Sequence, residues 1–198
     1  MTGKTTSKPF APLDLLRREL PALGLTIGFA PKSRRDTLAV FLLLWLELRR
    51  ATLASEVILT ATRLAWWRDA LETGRTEGVP MADYFVEHGL AEPVAAGIGI
   101  MVEGTMEQGR PISPHGLIAA LLADVTACDV MVIEDILKGL DQALKGKGGK
   151  DKTGEAGIRS GHPSLDLIAW CCQKPSRLDY PEKHPLLAVQ MMLAAIRL

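Results

Sequence analysis

Residues 56–72 read EVILTATRLAWWRDALE, and this stretch decides the fold class. Two of the four tryptophans of the chain, Trp66 and Trp67, are adjacent within it. Since successive residues of a helix are rotated by about 100°, Glu56, Arg63 and Trp67 lie near one side of a helix. A buried helix side that carries charges needs ionic partners, because isolated buried charges are unstable. The stretch therefore predicts a helix that takes part in a polar, ionic network.

The remaining sequence predicts further helices and no strand. Only 5% of the residues are aromatic and 47% are hydrophobic, a composition that favours helices over a β-sandwich. The pattern predicts helices at residues 34–50, 53–73, 80–88, 91–108, 164–172 and 184–198. Residues 114–145 form either one long helix or two stacked helices. The predicted fold class is all-α, a compact helical bundle.

Two glycines, Gly97 and Gly99, lie inside the helix predicted at 91–108. Each glycine destabilises a helix interior by about 1 kcal/mol relative to alanine. Their presence favours close packing against a neighbouring helix, with the approach of a ligand as the alternative.

The chain divides into a predicted flexible N-terminal segment, residues 1–23, and a single helical domain, residues 24–198. Within the domain, residues 145–162 read KGKGGKDKTGEAGIRSGH. This segment contains almost no apolar side chain that a core could bury, so it is predicted to be a mobile loop.

The charge and cysteine content limit the classes of partner and compartment. The chain has 23 Lys and Arg against 23 Asp and Glu, so no nucleic-acid partner is expected. Its three cysteines form no disulfide framework, which fits a cytoplasmic setting. The apolar runs are shorter than the roughly 20 residues that span a bilayer. Peripheral contact with a membrane remains open.

The run RLAWWRDALE at residues 63–72, with Glu56 seven residues before Arg63, resembles the squalene/phytoene synthase-like proteins. The similarity is closest to the branch of the complex I assembly factor and its bacterial relatives. Residues 29–56, FAPKSRRDTLAVFLLLWLELRRATLASE, resemble the entry helix of that family. The similarity is strong over about 24–75. It implies a helical bundle of the isoprenoid-synthase type, here shortened.

The resemblance also implies where a catalytic site should lie. Active members of the family bind Mg²⁺ and two diphosphates through two Asp-rich motifs, because Mg²⁺ prefers carboxylate oxygens. At the place of the first motif this chain has Glu47-Leu-Arg-Arg-Ala51, so one acid of the pair is missing. Later in the chain, Asp124 and Asp129 are five residues apart, as are Asp129 and Glu134. We interpret the later acids, which include Asp135 and Asp141, as a solvated helix face.

The candidate site is therefore a remnant cavity or an ionic network. Its residues are Glu47, Arg49, Arg50, Glu56, Arg63, Trp66, Trp67, Arg68 and Asp69. The favoured interpretation is a buried network of Glu47, Arg49, Glu56 and Arg63 that holds two helices together, with diphosphate binding by the arginines as the alternative. The tryptophan pair is interpreted as core packing, with one indole N–H hydrogen-bonded.

The resemblance, together with the missing acid, implies a non-catalytic protein that binds a protein partner or a prenyl or lipid-like molecule. Assembly of a respiratory complex is the setting that it suggests. No cofactor is then expected. The alternative is a Mg²⁺-dependent prenyl transferase that acts on farnesyl or geranylgeranyl diphosphate in squalene or phytoene synthesis.

Overall fold

The computed structural model describes residues 10–54, 56–76, 78–145 and 162–173. These ranges contain helices and no strand, which confirms the all-α prediction. The helices are α1 (Pro12–Glu19), α2 (Pro21–Ile27), α3 (Arg35–Thr52), α4 (Val57–Thr73), α5 (Pro80–Glu87), α6 (Ala91–Gln108), α7 (His115–Thr126), α8 (Val130–Leu144) and α9 (Pro163–Gln173). The helix predicted at 184–198 and most of the loop predicted at 145–162 lie outside the described residues.

Helix α3 forms the centre of the fold. Every residue from Leu38 to Leu46 is buried. A helix that is apolar on all sides needs neighbours on all sides, and α1, α2, α4 and α7 pack against α3. The charged C-terminal end of α3 is thereby placed close to several other helices.

Helix α4 packs along α6, and its end agrees with the sequence-based prediction. Gly74 has φ of 65°, the left-handed conformation that commonly ends a helix. A Cβ atom at Gly97 of α6 would lie 2.1 Å from Cδ1 of Leu117 in α7. This close approach confirms the helix packing that Gly97 predicts.

The N-terminal segment corrects the sequence-based prediction. Residues 1–23 were expected to be flexible, but residues 12–19 belong to α1 and residues 21–23 to α2, and residues 1–9 lie outside the described part. Leu16 and Leu23 are fully buried, and the ring of Phe10 lies 6.1 Å from that of Tyr84. The apolar spacing of residues 13, 16, 20 and 23 buries one side of these short helices, although the chain begins with polar residues.

Residues 114–145 form two helices, one of the two arrangements that the sequence left open. The chain turns at Ala127, where φ is 58°. Asp129 then begins α8, because its side chain accepts hydrogen bonds from the backbone N–H of Met131 at 2.8 Å and of Val132 at 3.3 Å.

His115 begins α7 and is buried, with its ring 6.2 Å from that of Trp45. Its Nδ1 lies 2.5 Å from Oγ of Ser113, and its Nε2 has no hydrogen-bond partner among the described residues. Burial lowers the pKa of His115 below the ordinary 6.5, although Asp141 and Glu134 act in the opposite direction. Because the pKa of His115 differs between the folded and the unfolded chain, the free energy of unfolding depends on pH.

The free energy of unfolding should therefore decrease as the pH is lowered through 6.5. The unfolded chain binds a proton near this pH, whereas folded His115 binds one only at lower pH, so protonation favours the unfolded state. His115→Phe should reduce the slope of stability against pH between about pH 7 and about pH 5. Part of the slope should remain, because burial and Arg34 lower the pKa of His162 as well. Urea unfolding at several pH values measures the slope, and an unchanged slope in the variant would contradict this prediction.

Candidate functional site

A groove opens between α1, α3, α4 and the start of α5. Its wider part has a volume of about 680 Å³ and is lined mainly by apolar side chains. The charged lining residues are Asp14, Arg18 and Glu47. The other lining residues are Phe10, Ala11, Leu15, Trp66, Trp67, Val79, Pro80 and Met81. Its narrower part, of about 440 Å³, is lined by Glu47, Arg50, Ala51, Thr62, Arg63, Trp66 and Trp67. The two parts share Glu47 and the tryptophan pair. We call the whole cleft the tryptophan groove.

The two adjacent tryptophans have different surroundings. Trp67 is 8% exposed and packs in the core, whereas Trp66 is 50% exposed. Their rings meet edge to face, with centroids 5.4 Å apart. The prediction of core packing was therefore correct for Trp67 and wrong for Trp66. Neighbouring helix residues are rotated by about 100° from one another, so the two rings cannot both face the core. An exposed indole in a groove wall offers a large apolar surface to a ligand.

The narrow part of the groove carries one acid and two arginines. Arg50 donates a hydrogen bond to Glu47 at 2.5 Å and another to Glu19 at 2.7 Å, and the bond to Glu19 is the main cause that raises the pKa of Arg50. Arg63 is exposed and forms no ion pair with a described residue. The lining of this part therefore has a net positive charge, and Arg63 is its available cation.

The predicted network of Glu47, Arg49, Glu56 and Arg63 is not formed. Arg49 instead donates from Nε to Oδ1 of Asp141 in α8 at 2.5 Å. Glu56 and Arg63 are both exposed and form no ion pair within the described ranges. Residues 47 and 49 are rotated by about 200° on α3, so their side chains cannot face the same neighbour.

Arg68 and Asp69 lie outside the tryptophan groove. Arg68 donates two hydrogen bonds to Oδ1 of Asp69, at 3.0 and 2.7 Å, and this raises the pKa of Arg68. A Cβ atom at Gly99 would lie 3.6 Å from Cδ of Arg68, so Arg68 packs towards α6. Of the nine candidate residues, the structure brings Glu47, Arg50, Arg63, Trp66 and Trp67 together.

Several residues of the groove and of the ion pairs were not predicted from the sequence. Asp141 is 9% exposed, which corrects its assignment to a solvated helix face. Phe10, Leu15 and Glu19 were overlooked because the N-terminal segment was expected to be flexible. The available signals were the apolar spacing of α1 and the four-residue spacing of Asp141 and Lys145, whose side chains form an ion pair at 2.5 Å.

Two kinds of feature are absent from the residues that the structure describes. These residues contain no group of three or more His, Cys, Asp or Glu side chains placed to hold a metal ion. None of their helices combines the length and apolar character needed to cross a membrane.

Comparisons with models of known protein families, with curated proteins and with solved structures gave no match to this chain. The resemblance to the squalene/phytoene synthase-like proteins, and the isoprenoid-synthase type of bundle that it implies, remain predictions.

Proposed function

We propose that this protein is a non-catalytic, squalene/phytoene synthase-like protein that binds an elongated apolar molecule with an acidic head group. The apolar chain would occupy the wide part of the tryptophan groove, against Leu15, Trp66 and Met81. The acidic group would contact Arg63 in the narrow part. The setting that the resemblance implies is the assembly of a respiratory complex.

The shape and lining of the tryptophan groove carry the proposal. A volume of about 680 Å³ lies within the usual range for small-molecule sites, which is roughly 300–1,000 Å³. The wide part is mainly apolar, and the adjoining narrow part contains Arg63, which has no acidic partner among the described residues. Arginine suits this role because its planar guanidinium can donate two parallel hydrogen bonds to a phosphate or carboxylate.

The residues at the narrow part favour binding over catalysis. Ala51 lines the groove beside Glu47, at the position four residues on, where the resemblance would require a second acid. The one carboxylate of the narrow part is also engaged by Arg50 at 2.5 Å. A Mg²⁺ ion that must hold a diphosphate usually needs more than one free carboxylate.

Three exposed apolar side chains near the connection between α3 and α4 support association with a protein partner or with a membrane surface. Leu53, Ile58 and Leu59, around the connection between α3 and α4, are 56%, 71% and 47% exposed. Large apolar side chains that share one exposed area often mark an association surface. Arg63 lies one turn beyond Leu59 on the same helix, which would suit an acidic partner or anionic head groups.

Calorimetric titration of the full chain with farnesyl diphosphate, with a chelator present, tests the proposal. We expect saturable binding and a loss of at least about tenfold in affinity in Arg63→Gln, because a charge-assisted hydrogen bond contributes about 1.5–3 kcal/mol. Farnesol, which lacks the anionic group, should bind wild type and Arg63→Gln alike. Trp66→Ala should weaken both ligands, because the indole contacts the apolar chain in either case.

Two exposed residues outside the groove provide matched controls. Arg75→Gln removes an exposed arginine just beyond the end of α4, and Ile100→Ala removes an apolar side chain that is 70% exposed on α6. Neither change should alter binding. Absence of binding in wild type would overturn the proposal, and release of inorganic diphosphate on addition of Mg²⁺ would favour the prenyl transferase alternative.

A further inference from the structure

A second cleft, of about 240 Å³, lies where the C-terminal ends of α3 and α8 meet the start of α7. It shares no lining residue with the tryptophan groove, so it does not depend on the function proposed above. Its polar lining residues are Arg49, Thr52, Ser113, His115, Asp141 and Lys145. The apolar ones are Leu53, Pro111 and Pro114.

Two cations share one carboxylate in this second cleft. Nε of Arg49 lies 2.5 Å from Oδ1 of Asp141, and Nζ of Lys145 lies 2.5 Å from Oδ2. Both oxygens of Asp141 are therefore engaged, and the three side chains together keep one positive charge. The side chain of Asp141 is only 12% exposed, and its two oxygens hold the two cations at one place in the cleft.

Arg49 has hydrogen-bonding capacity that its described partners leave unused. A guanidinium group has five N–H donors. Of the five guanidinium donors of Arg49, only Nε donates a hydrogen bond to a described residue, although the side chain is only 14% exposed. Cζ of Arg49 lies 5.9 Å from the ring centroid of Trp45, a cation–π contact that leaves the terminal N–H groups of Arg49 free to donate.

The start of α7 borders the same cleft through Pro114 and His115. The N–H of Ile118 donates to the carbonyl of Pro114 at 3.1 Å, so earlier N–H groups of this helix have no acceptor within it. The N–H of His115 donates to Oγ of Ser113 at 3.3 Å. The next residue, Gly116, is exposed, and no heavy atom would lie within 4 Å of a Cβ placed there. First-turn N–H groups of a helix favour anions.

We propose that this cleft binds a small oxyanion, a phosphate or carboxylate group, held by Arg49 and Lys145 beside the first turn of α7. The planar guanidinium of Arg49 supplies a paired contact and Lys145 a point charge. The volume of the cleft suits an inorganic anion or a small organic acid and excludes a long apolar chain.

NMR titration of the full chain with inorganic phosphate, at constant ionic strength set with sodium chloride, tests this site. The imidazole signals of His115 and the amide of Gly116 report on occupancy. We expect saturable shifts with a dissociation constant on the order of 1 mM. Lys145→Gln should weaken binding by about tenfold through loss of a charge-assisted hydrogen bond, while Arg49 still pairs with Asp141.

Lys138→Gln is the matched control, because Lys138 lies on α8, which Lys145 directly follows, but does not line the cleft. It pairs with Glu134 at 2.9 Å and with Asp135 at 3.5 Å. This variant should bind phosphate as wild type does. Acetate in place of phosphate then assigns the class: shifts of the same signals indicate any oxyanion, and their absence indicates a phosphate group. Shifts that never saturate, or equal weakening in both lysine variants, would indicate an adventitious ion only and overturn the proposal.

Discussion

Replacement of Asp141 by leucine should lower the free energy of unfolding by about 3–5 kcal/mol, the usual effect of breaking a buried ion pair. The side chains of Arg49 and Asp141 are only 14% and 12% exposed. Without the carboxylate, Arg49 would keep its charge with little solvent and no described counter-ion. The loss should therefore loosen the contact between the end of α3 and α8.

Removal of the opposite partner should have a smaller effect. Arg49→Met should cost about 1–3 kcal/mol, because Lys145 still neutralises Asp141. The double variant Arg49→Met/Asp141→Leu should lose much less than the sum of the two single variants, since it leaves no buried charge; Lys145, which also loses Asp141, is 40% exposed. Urea unfolding of the four proteins gives the coupling energy, and additive losses would contradict a coupled pair.

An exposed ion pair provides the control for this cycle. Asp69 pairs with Arg68 at 2.7 Å, but its side chain is 60% exposed. Asp69→Leu should change the free energy of unfolding by no more than about 1 kcal/mol, because solvent screens exposed pairs. A loss as large as that of Asp141→Leu would show that burial does not explain the difference.

Replacement of Trp45 by alanine should lower the free energy of unfolding by about 3–5 kcal/mol. Trp45 is fully buried in the centre of α3, so the truncation leaves a large cavity. Trp45→Phe should cost distinctly less, at about 1–2 kcal/mol. The phenyl ring fills part of the space, and the change removes a buried indole N–H that has no partner among the described residues.

Trp66→Ala is the comparison for Trp45→Ala, because the same side chain is removed from a position that is 50% exposed. We expect a loss of no more than about 1 kcal/mol, since little buried area disappears. Thermal and urea unfolding measure both variants. Equal losses for Trp45→Ala and Trp66→Ala would contradict the burial that the structure assigns to them.

The helices themselves could largely be predicted from the sequence. The predictions for α4, α5 and α6 end at or within one residue of the observed ends, at Thr73, Glu87 and Gln108. These ends could be predicted because a glycine in the left-handed conformation follows each of them within one or two residues. The three glycines are Gly74, Gly89 and Gly109. Helices α1 and α2 were missed because the polar start of the chain led to a flexible segment being predicted as far as residue 23.

The candidate site could be predicted only in part. Glu47, Arg50 and the tryptophan pair do line one groove, but Arg49 belongs to a different cleft. Arg49 and Arg50 are adjacent in the sequence, but Arg49 pairs with Asp141, 92 residues away, and Arg50 pairs with Glu19, 31 residues away, as well as with the nearby Glu47. Local spacing contains no information about such distant partners.

The sequence by itself determined that this protein is helical, where most of the helices lie, and that charged and aromatic side chains gather around α3 and α4. These properties follow from spacing and helix ends, which act over a few residues. Only the tertiary structure decided that Trp67 is buried and Trp66 exposed, and that Asp141 pairs with Arg49. The physical reason is that adjacent helix positions differ in direction by about 100°, so the neighbour that each side chain meets depends on how distant helices pack.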